Sequence, residues 1–189
     1  MMNPSIFKLK QIGSGDLYIM PCPRPQVLAE DLAYYMGLGI NTIVCLLEKS
    51  EMIARGLALE EKLCKELDLR FEHFPIPDRS IPKNLAAFRQ LVDKLDLELK
   101  RGQHVAIHCY AGIGRTGILA GSLLMRDGMQ AHAAIELMSE TRGRNMPQTQ
   151  IQYEFLVEDD EQHALIDHDS LSTPARPWWQ RLISWSPAA

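Results

Sequence analysis

One cysteine and one arginine are spaced so that both could act on the same tetrahedral anion. Cys109 follows a short apolar run, and Arg115 comes six positions later, in the spacing C-x5-R. A thiolate is a strong nucleophile, and a guanidinium can donate two parallel hydrogen bonds to two oxygens of one dianion. These residue types and this spacing predict a nucleophile and a charge clamp that converge on one phosphate-like group.

The loop between these two residues can bind an anion through its backbone. The stretch 108–117 reads HCYAGIGRTG, and its glycines permit unusual backbone dihedral angles and the close approach of a ligand. A loop between a strand and a helix points several N–H groups inward, and the positive end of the helix strengthens their attraction for an anion. The residues predicted to line this cradle are Tyr110, Ala111, Gly112, Ile113, Gly114 and Arg115.

The same surroundings favour the thiolate form of Cys109. A helix N-terminus and an adjacent cation lower a thiol pKa from about 8.5 to roughly 3.5–7.5. The hydroxyl of Thr116 is placed to donate a hydrogen bond to the sulfur, which would stabilise the thiolate as nucleophile and as leaving group. Phosphoryl transfer needs mainly positioning and charge stabilisation, so we predict that the loop works without a metal ion or another cofactor. It also lacks the lysine of a nucleotide-binding G-x-x-x-x-G-K-[ST] motif.

The hydrophobic pattern predicts strands that alternate with helices. Strands are predicted at 15–25, 41–48, 70–76 and 104–108, and helices at 26–40, 58–69, 82–101, 115–126, 129–140 and 149–161. Such alternation indicates βαβ units, a parallel sheet and right-handed crossovers. The predicted fold class is α/β, with a central, mostly parallel sheet flanked by helices. In such folds ligands bind beyond the carboxyl ends of the strands, which is where the loop after residue 108 begins.

Length and composition are those of one globular domain. The chain has 189 residues, of which 46% are hydrophobic and 23% charged, and its formal net charge is −4. A net negative charge does not favour a nucleic acid or an anionic membrane as partner. The sequence predicts neither a signal peptide nor a membrane span, and its four cysteines lack metal-ligand spacing. We therefore expect a monomeric, cytoplasmic protein with reduced cysteines.

The stretch HCYAGIGRTG resembles the H-C-x-x-G-x-x-R-[ST]-G signature of the cysteine-based protein tyrosine and dual-specificity phosphatases. Together with LRFEHFPIPD and PQTQIQYEF, it looks like the small phosphatases related to the cyclin-dependent-kinase-associated phosphatase. The resemblance spans roughly residues 15–163. It implies a protein tyrosine phosphatase-like fold and the hydrolysis of phosphomonoesters on phosphoproteins through a phosphocysteine intermediate, without a metal ion.

The resemblance also assigns roles outside the loop. Asp78, in FPIPDRSIP, stands where the family carries the acid that protonates the leaving oxygen, although an aspartate between prolines is also a common turn residue. Gln148 matches the glutamine that positions the hydrolytic water. Gln152 either shares that role or only caps a helix together with Thr149. His108 is expected to orient the loop through hydrogen bonds.

Other acidic residues are weaker candidates for the acid. Asp93 and Asp96 lie on the polar side of the 82–101 helix and are interpreted as a solvated face, while Asp159 and Asp160 belong to a late acidic run. The acid loop reads Pro-Ile-Pro-Asp rather than Trp-Pro-Asp, and no tyrosine-rich recognition loop is found. Both departures favour a shallow cleft that accepts phosphotyrosine and also phosphoserine or phosphothreonine.

Three other functions stay open at this point. Relatives that act on phosphoinositides or inositol phosphates line the loop with lysines, whereas this loop is neutral, although four basic residues could border the pocket: Arg79, Lys83, Arg142 and Arg144. A catalytically weak phosphoprotein-binding module typically loses the cysteine or the acid, and both are present here. A sulfurtransferase also uses a loop cysteine but needs neither Asp78 nor Gln148.

The sequence divides into a phosphatase domain at 1–164 and a C-terminal tail at 165–189. The tail holds all three tryptophans, Trp178, Trp179 and Trp185. It is predicted to pack on the domain or to be disordered. Some relatives protect their nucleophile by a disulfide with a neighbouring cysteine, a role that would fall to Cys45, but a small core residue is the simpler interpretation.

Overall fold

The computed structural model describes residues 3–158 of the chain, in which strands and helices alternate. The elements are β1 (Phe7–Ile12), β2 (Gly15–Met20), α1 (Leu28–Gly37), β3 (Thr42–Cys45), α2 (Lys49–Ala54), α3 (Glu60–Glu66), β4 (Arg70–His73), α4 (Leu85–Lys100), β5 (Val105–His108), α5 (Gly114–Arg126), α6 (Ala131–Arg142) and α7 (150–158). A 3-10 turn at Pro25–Val27 precedes α1.

The strands form one five-stranded sheet in the order β1-β2-β5-β3-β4. Strands β2, β5, β3 and β4 run parallel, and only β1 pairs antiparallel, as the edge partner of β2. The predicted central, mostly parallel sheet flanked by helices is therefore confirmed. Because β5 is the middle strand, the loop that follows it leaves the centre of the sheet at its carboxyl edge.

The sheet separates two hydrophobic cores. Helices α4 to α7 contribute to one core, and α1, α2 and α3 contribute to the other. Along β5, Val105 and Ile107 point into the first core and Ala106 into the second, so this strand is buried on both faces, as a central parallel strand should be. Helix α5 is buried from Gly114 through Leu124, which confirms the central buried helix.

Two elements are absent from the sequence-based prediction because their apolar signal is weak. Helix α2 buries a single residue, Met52, and β1 is an edge strand with one side partly exposed. Gly13 turns the chain between β1 and β2 with a φ of +59°, and a Cβ there would lie 2.6 Å from the Lys100 Cα, so both backbone angle and space require glycine.

Helix α4 begins later than predicted. The predicted range starts at 82, but the helix starts at Leu85 because the Asn84 side chain accepts a hydrogen bond from the Ala87 N–H at 3.0 Å and caps it.

The prediction that Asp96 lies on a solvated face is wrong: this residue is buried and pairs with Lys100 at 2.8 Å.

No helix within residues 3–158 is both long enough and apolar enough to cross a membrane. The predicted boundary at 164 and the tail at 165–189 lie outside the described residues, as do Asp159 and Asp160.

Candidate active site

The loop between β5 and α5 packs against the carboxyl end of β2. Gly112 has a φ of +67°, and a Cβ at this position would lie 2.2 Å from the Met20 carbonyl oxygen. Only glycine fits this close approach. Cys109 sits at the base of the loop with 3% of its surface exposed, at the bottom of a cavity of about 240 Å³. The cavity is lined by Asp78, Arg79, Cys109, Tyr110, Ala111, Gly114, Arg115, Gln148 and Gln152.

The environment of Cys109 favours its thiolate. Burial by itself raises the pKa of the thiol, but hydrogen bonds from Thr116 and from the Ile113 N–H, together with the charge of Arg115, lower it below its ordinary value. The Thr116 hydroxyl has no partner with hydrogen-bonding geometry among the described residues. We therefore attribute the lowered pKa mainly to the backbone N–H groups of Ile113 and Thr116 and to Arg115, and the bond from the Thr116 hydroxyl stays a prediction.

Arg115 is held by a carboxylate that the sequence did not reveal. Its Nη1 donates to Glu51 Oε2 at 2.5 Å and to the Ile76 carbonyl oxygen at 3.1 Å, and its Nη2 donates to Glu51 Oε1 at 3.1 Å. Burial raises the pKa of Glu51, but hydrogen bonds from Arg115 and from the backbone N–H of Glu48 bring it below its usual value. This two-pronged ion pair fixes the plane of the guanidinium beside Cys109.

Asp78 lies at the mouth of the cavity, on the loop after β4. Its Oδ1 is 3.1 Å from Arg115 Nη2, and 64% of its side chain is exposed. The following residue, Arg79, has a φ of +56°, a strained conformation for a residue with a side chain. The structure therefore brings the predicted acid, the nucleophile and the arginine to one cavity.

Both glutamines of the predicted pair also line this cavity, but they differ in burial. Gln148 is exposed, whereas Gln152 is fully buried. The Oε1 of Gln152 accepts the Thr149 N–H at 3.2 Å, which is half of the predicted capping box, and its Nε2 donates to the Ser80 carbonyl oxygen at 3.0 Å. Gln152 thus ties the start of α7 to the loop that carries Asp78.

The remaining loop residues are divided between the cavity and the core. Tyr110 is half exposed, and the Arg55 guanidinium stacks over its ring at 3.4 Å. The Ala111 carbonyl oxygen accepts a hydrogen bond from Arg142 at 3.1 Å, which braces the loop. Ile113 packs its side chain against the core below the loop instead of lining the cavity.

Four basic residues are expected to border the pocket, and Arg79 is the one of them that lines the cavity.

His108 ends β5 behind the loop, and its Nδ1 lies 3.1 Å from the Cys109 carbonyl oxygen, consistent with the predicted supporting contact. All four cysteines, including Cys45 on the neighbouring strand, are free.

Sequence comparison finds relatives that match most of this chain. Residues 20–129 match a family model described as "Polymorphic toxin system, DSP-PTPase phosphatase". The chain is 34% identical to cyclin-dependent kinase inhibitor 3 of Sus scrofa over 133 residues, which cover 69% of this chain and 62% of the pig protein. It is 35% identical to the Rattus norvegicus protein of that name over 149 residues, which cover 77% of this chain and 70% of the rat protein.

Structural comparison finds the same architecture. A crystal structure of kinase-associated phosphatase, carrying a serine in place of its catalytic cysteine, superposes with a TM-score of 0.75 at 24% identity. The match covers 87% of this chain and 98% of that structure. At this level of identity the match is evidence for the fold alone, and it confirms the predicted protein tyrosine phosphatase-like fold.

Proposed function

This chain belongs to the DSP-PTPase family of dual-specificity phosphatases, and on that premise we propose that it hydrolyses phosphomonoesters on phosphoproteins through a phosphocysteine at Cys109. The observation that carries this proposal is the convergence of three groups on one cavity: a buried cysteine whose pKa is lowered, the guanidinium of Arg115 and the carboxyl group of Asp78. Phosphotyrosine is the proposed substrate, together with phosphoserine and phosphothreonine.

In the first step the phosphoryl group moves from the substrate to the protein. The loop N–H groups and Arg115 bind its oxygens. Arg115 Nη2 now contacts the Asp78 carboxyl group, and a phosphate oxygen that binds this nitrogen takes the place of that carboxyl group. The Cys109 thiolate attacks phosphorus, so an S–P bond forms while the bond to the substrate oxygen breaks. Asp78 gives its proton to that oxygen, which leaves as an alcohol or a phenol.

In the second step water removes the phosphoryl group. Gln148 lines the cavity, and in this proposal its side chain positions the water. Asp78, now ionised, accepts a proton from this water as its oxygen bonds to phosphorus. The S–P bond breaks, the Cys109 thiolate is regenerated, and inorganic phosphate departs.

The cavity suits a substrate with a single phosphate. The loop side chains that line it, Tyr110 and Ala111, are neutral, and Arg79 is the one cation besides Arg115 among the lining residues. A phosphoinositide phosphatase is the alternative that Arg79 would favour. Turnover of phosphotyrosine and phosphothreonine peptides above that of phosphatidylinositol phosphates supports the phosphoprotein assignment, and the reverse order contradicts it. The cytoplasmic location and the monomeric state remain expectations from the sequence.

Replacing Asp78 by asparagine tests the acid. We expect kcat on a phosphotyrosine peptide to fall roughly 10²–10⁴-fold, because the leaving oxygen loses its proton donor. The loss should be smaller on p-nitrophenyl phosphate, whose leaving group needs little protonation, and tungstate affinity should change little. We expect a bell-shaped pH profile with its maximum at mildly acidic pH for the wild type, and a changed profile for this variant. Rates are measured against pH with a chelator present.

Asp93→Asn is the matched control, because Asp93 is exposed and pairs with Arg126 at 3.0 Å, outside the cavity. This variant should keep the wild-type profile. An Asp78→Asn protein with wild-type turnover on both substrates would show that another group is the acid.

A further inference from the structure

A buried carboxylate outside the cavity contacts the histidine that precedes the nucleophile. Glu60 lies in the first turn of α3, on the opposite side of β5 from α5, and both Glu60 and His108 are completely buried. Glu60 Oε1 is 2.9 Å from His108 Nε2. On its other side, the same ring places Nδ1 3.1 Å from the Cys109 carbonyl oxygen. An uninterrupted chain of polar atoms therefore links α3 to the nucleophile.

We propose that Glu60 is a positioning residue for the reaction: it keeps His108 as an imidazolium, which anchors the Cys109 carbonyl and places a positive charge behind the thiolate. The inference rests on the proposed function in one respect, the role of Cys109 as nucleophile. It adds a third source of thiolate stabilisation to Arg115 and the loop N–H groups.

The donors and acceptors around the ring determine its protonation. A carbonyl oxygen can only accept, so Nδ1 carries a hydrogen to bond Cys109. On the other side, Nε2 lies 2.9 Å from a Glu60 carboxylate oxygen. Burial lowers the pKa of His108, but the adjacent Glu60 carboxylate opposes burial most strongly, with a smaller contribution from Cys45, and the pKa lies well above its ordinary value. The contact to the Cys109 carbonyl oxygen and the neighbouring Glu60 carboxyl group thus favour a doubly protonated His108.

Charge, more than directional bonding, holds this pair together. The Glu60–His108 contact is short, but its angles are not those of a hydrogen bond, and neither Glu60 oxygen has such a partner among the described residues. A cation beside a buried carboxylate with so little other compensation stabilises it. The titratable groups that face His108 are Cys22, Cys45, Glu60 and Cys109, and Glu60 is the acid among them.

A metal ion is the competing explanation for this cluster. Ligand atoms of Cys45, Glu60 and His108 all lie within 4.8 Å of one another, and these residue types bind zinc. Tetrahedral zinc, with bonds of about 2.0–2.2 Å, separates a nitrogen and an oxygen ligand by roughly 3.3 Å. The observed 2.9 Å between Nε2 and Oε1 is shorter and fits a direct ion pair.

The test compares Glu60→Gln with Glu61→Gln in the full chain. Glu61 is the next residue, is exposed and lies in the same helical turn, so it controls for charge loss from α3. The rate of Cys109 alkylation by iodoacetate is measured against pH. We expect Glu60→Gln to move the midpoint of this profile upward by about one pH unit and to lower kcat/KM roughly tenfold. Glu61→Gln should match the wild type, and Glu60→Asp, which keeps the charge, should lie closer to it than Glu60→Gln.

A folded Glu60→Gln protein with the wild-type alkylation profile would overturn the inference. Where that variant does not fold, the unmodified protein still decides: NMR of ¹⁵N-labelled histidine should show His108 doubly protonated at pH 7.5, and a neutral ring, or stoichiometric zinc in the purified protein, would overturn it. Alkylation and NMR do not require turnover. A wild-type protein that hydrolyses nothing would thus contradict the proposed function without deciding the role of Glu60.

Discussion

Cys109→Ser is expected to lower turnover by roughly 10⁴-fold or more, to the background of the assay, while tungstate still binds in the cavity. A serine hydroxyl is not ionised in this setting. The loop and Arg115 can therefore still bind an anion, but no nucleophile is available to attack phosphorus. The structure supports an intact fold for the variant, because serine is close to cysteine in volume and sits at the base of a preformed loop. Steady-state kinetics and tungstate titration measure the two effects separately.

Cys64→Ser is the control for this variant. Cys64 is equally buried but lies on α3, in the second core and away from the cavity lining. This substitution should leave turnover per folded molecule unchanged. Undiminished turnover by Cys109→Ser, in a preparation free of contaminating phosphatase, would contradict a covalent mechanism at this residue.

Arg115→Lys is expected to lower kcat/KM roughly 10³-fold and to abolish measurable tungstate binding. An ammonium is a point charge and cannot donate two parallel hydrogen bonds to phosphate while two others engage Glu51. The variant keeps a positive charge beside Glu51, so its fold should be better preserved than that of a variant with a neutral residue at position 115.

Arg126→Lys provides the comparison for the arginine variant. Arg126 ends the same helix, is half exposed and pairs with Asp93. Its replacement should change neither kinetics nor ligand binding. Wild-type tungstate affinity in Arg115→Lys would mean that the guanidinium is not the phosphate clamp and that the loop backbone alone binds the anion.

The sequence predicts well those parts of the site that are encoded locally. Arg115 lies in the first turn of α5, and only the short loop 110–114 separates it from Cys109. Their convergence therefore needs no knowledge of the rest of the fold. Gly112 is required for two reasons: its φ is positive, and the β2 backbone lies too close for a Cβ. The glycine-rich sequence indicates the unusual backbone angle but not the contact with β2.

The supporting carboxylates could not be predicted in this way. Glu51 and Glu60 lie on α2 and α3, far along the chain from the residues they pair with, and on short helices whose acidic residues resemble ordinary solvated positions. Glu60 and Glu61 are indistinguishable in the sequence, yet one is fully buried and the other exposed. Their difference comes from how α3 packs on the sheet, and therefore from tertiary structure.

The Gln148–Gln152 pair illustrates an intermediate case. The pattern places both residues near the start of a helix, and the capping contact of Gln152 follows from spacing alone. Its second hydrogen bond, to the Ser80 carbonyl oxygen, joins segments far apart in sequence and is visible only in the structure.

The most direct test of the account is to trap the covalent intermediate. Protein mixed with saturating p-nitrophenyl phosphate is quenched in acid within one turnover, digested and analysed by mass spectrometry, with Gln148→Ala included to slow the second step. We expect one phosphoryl group on the peptide that contains Cys109, at higher occupancy in Gln148→Ala, and none in Cys109→Ser. Turnover without a phosphoryl group on any cysteine, or with one on a residue other than Cys109, would contradict the phosphocysteine mechanism.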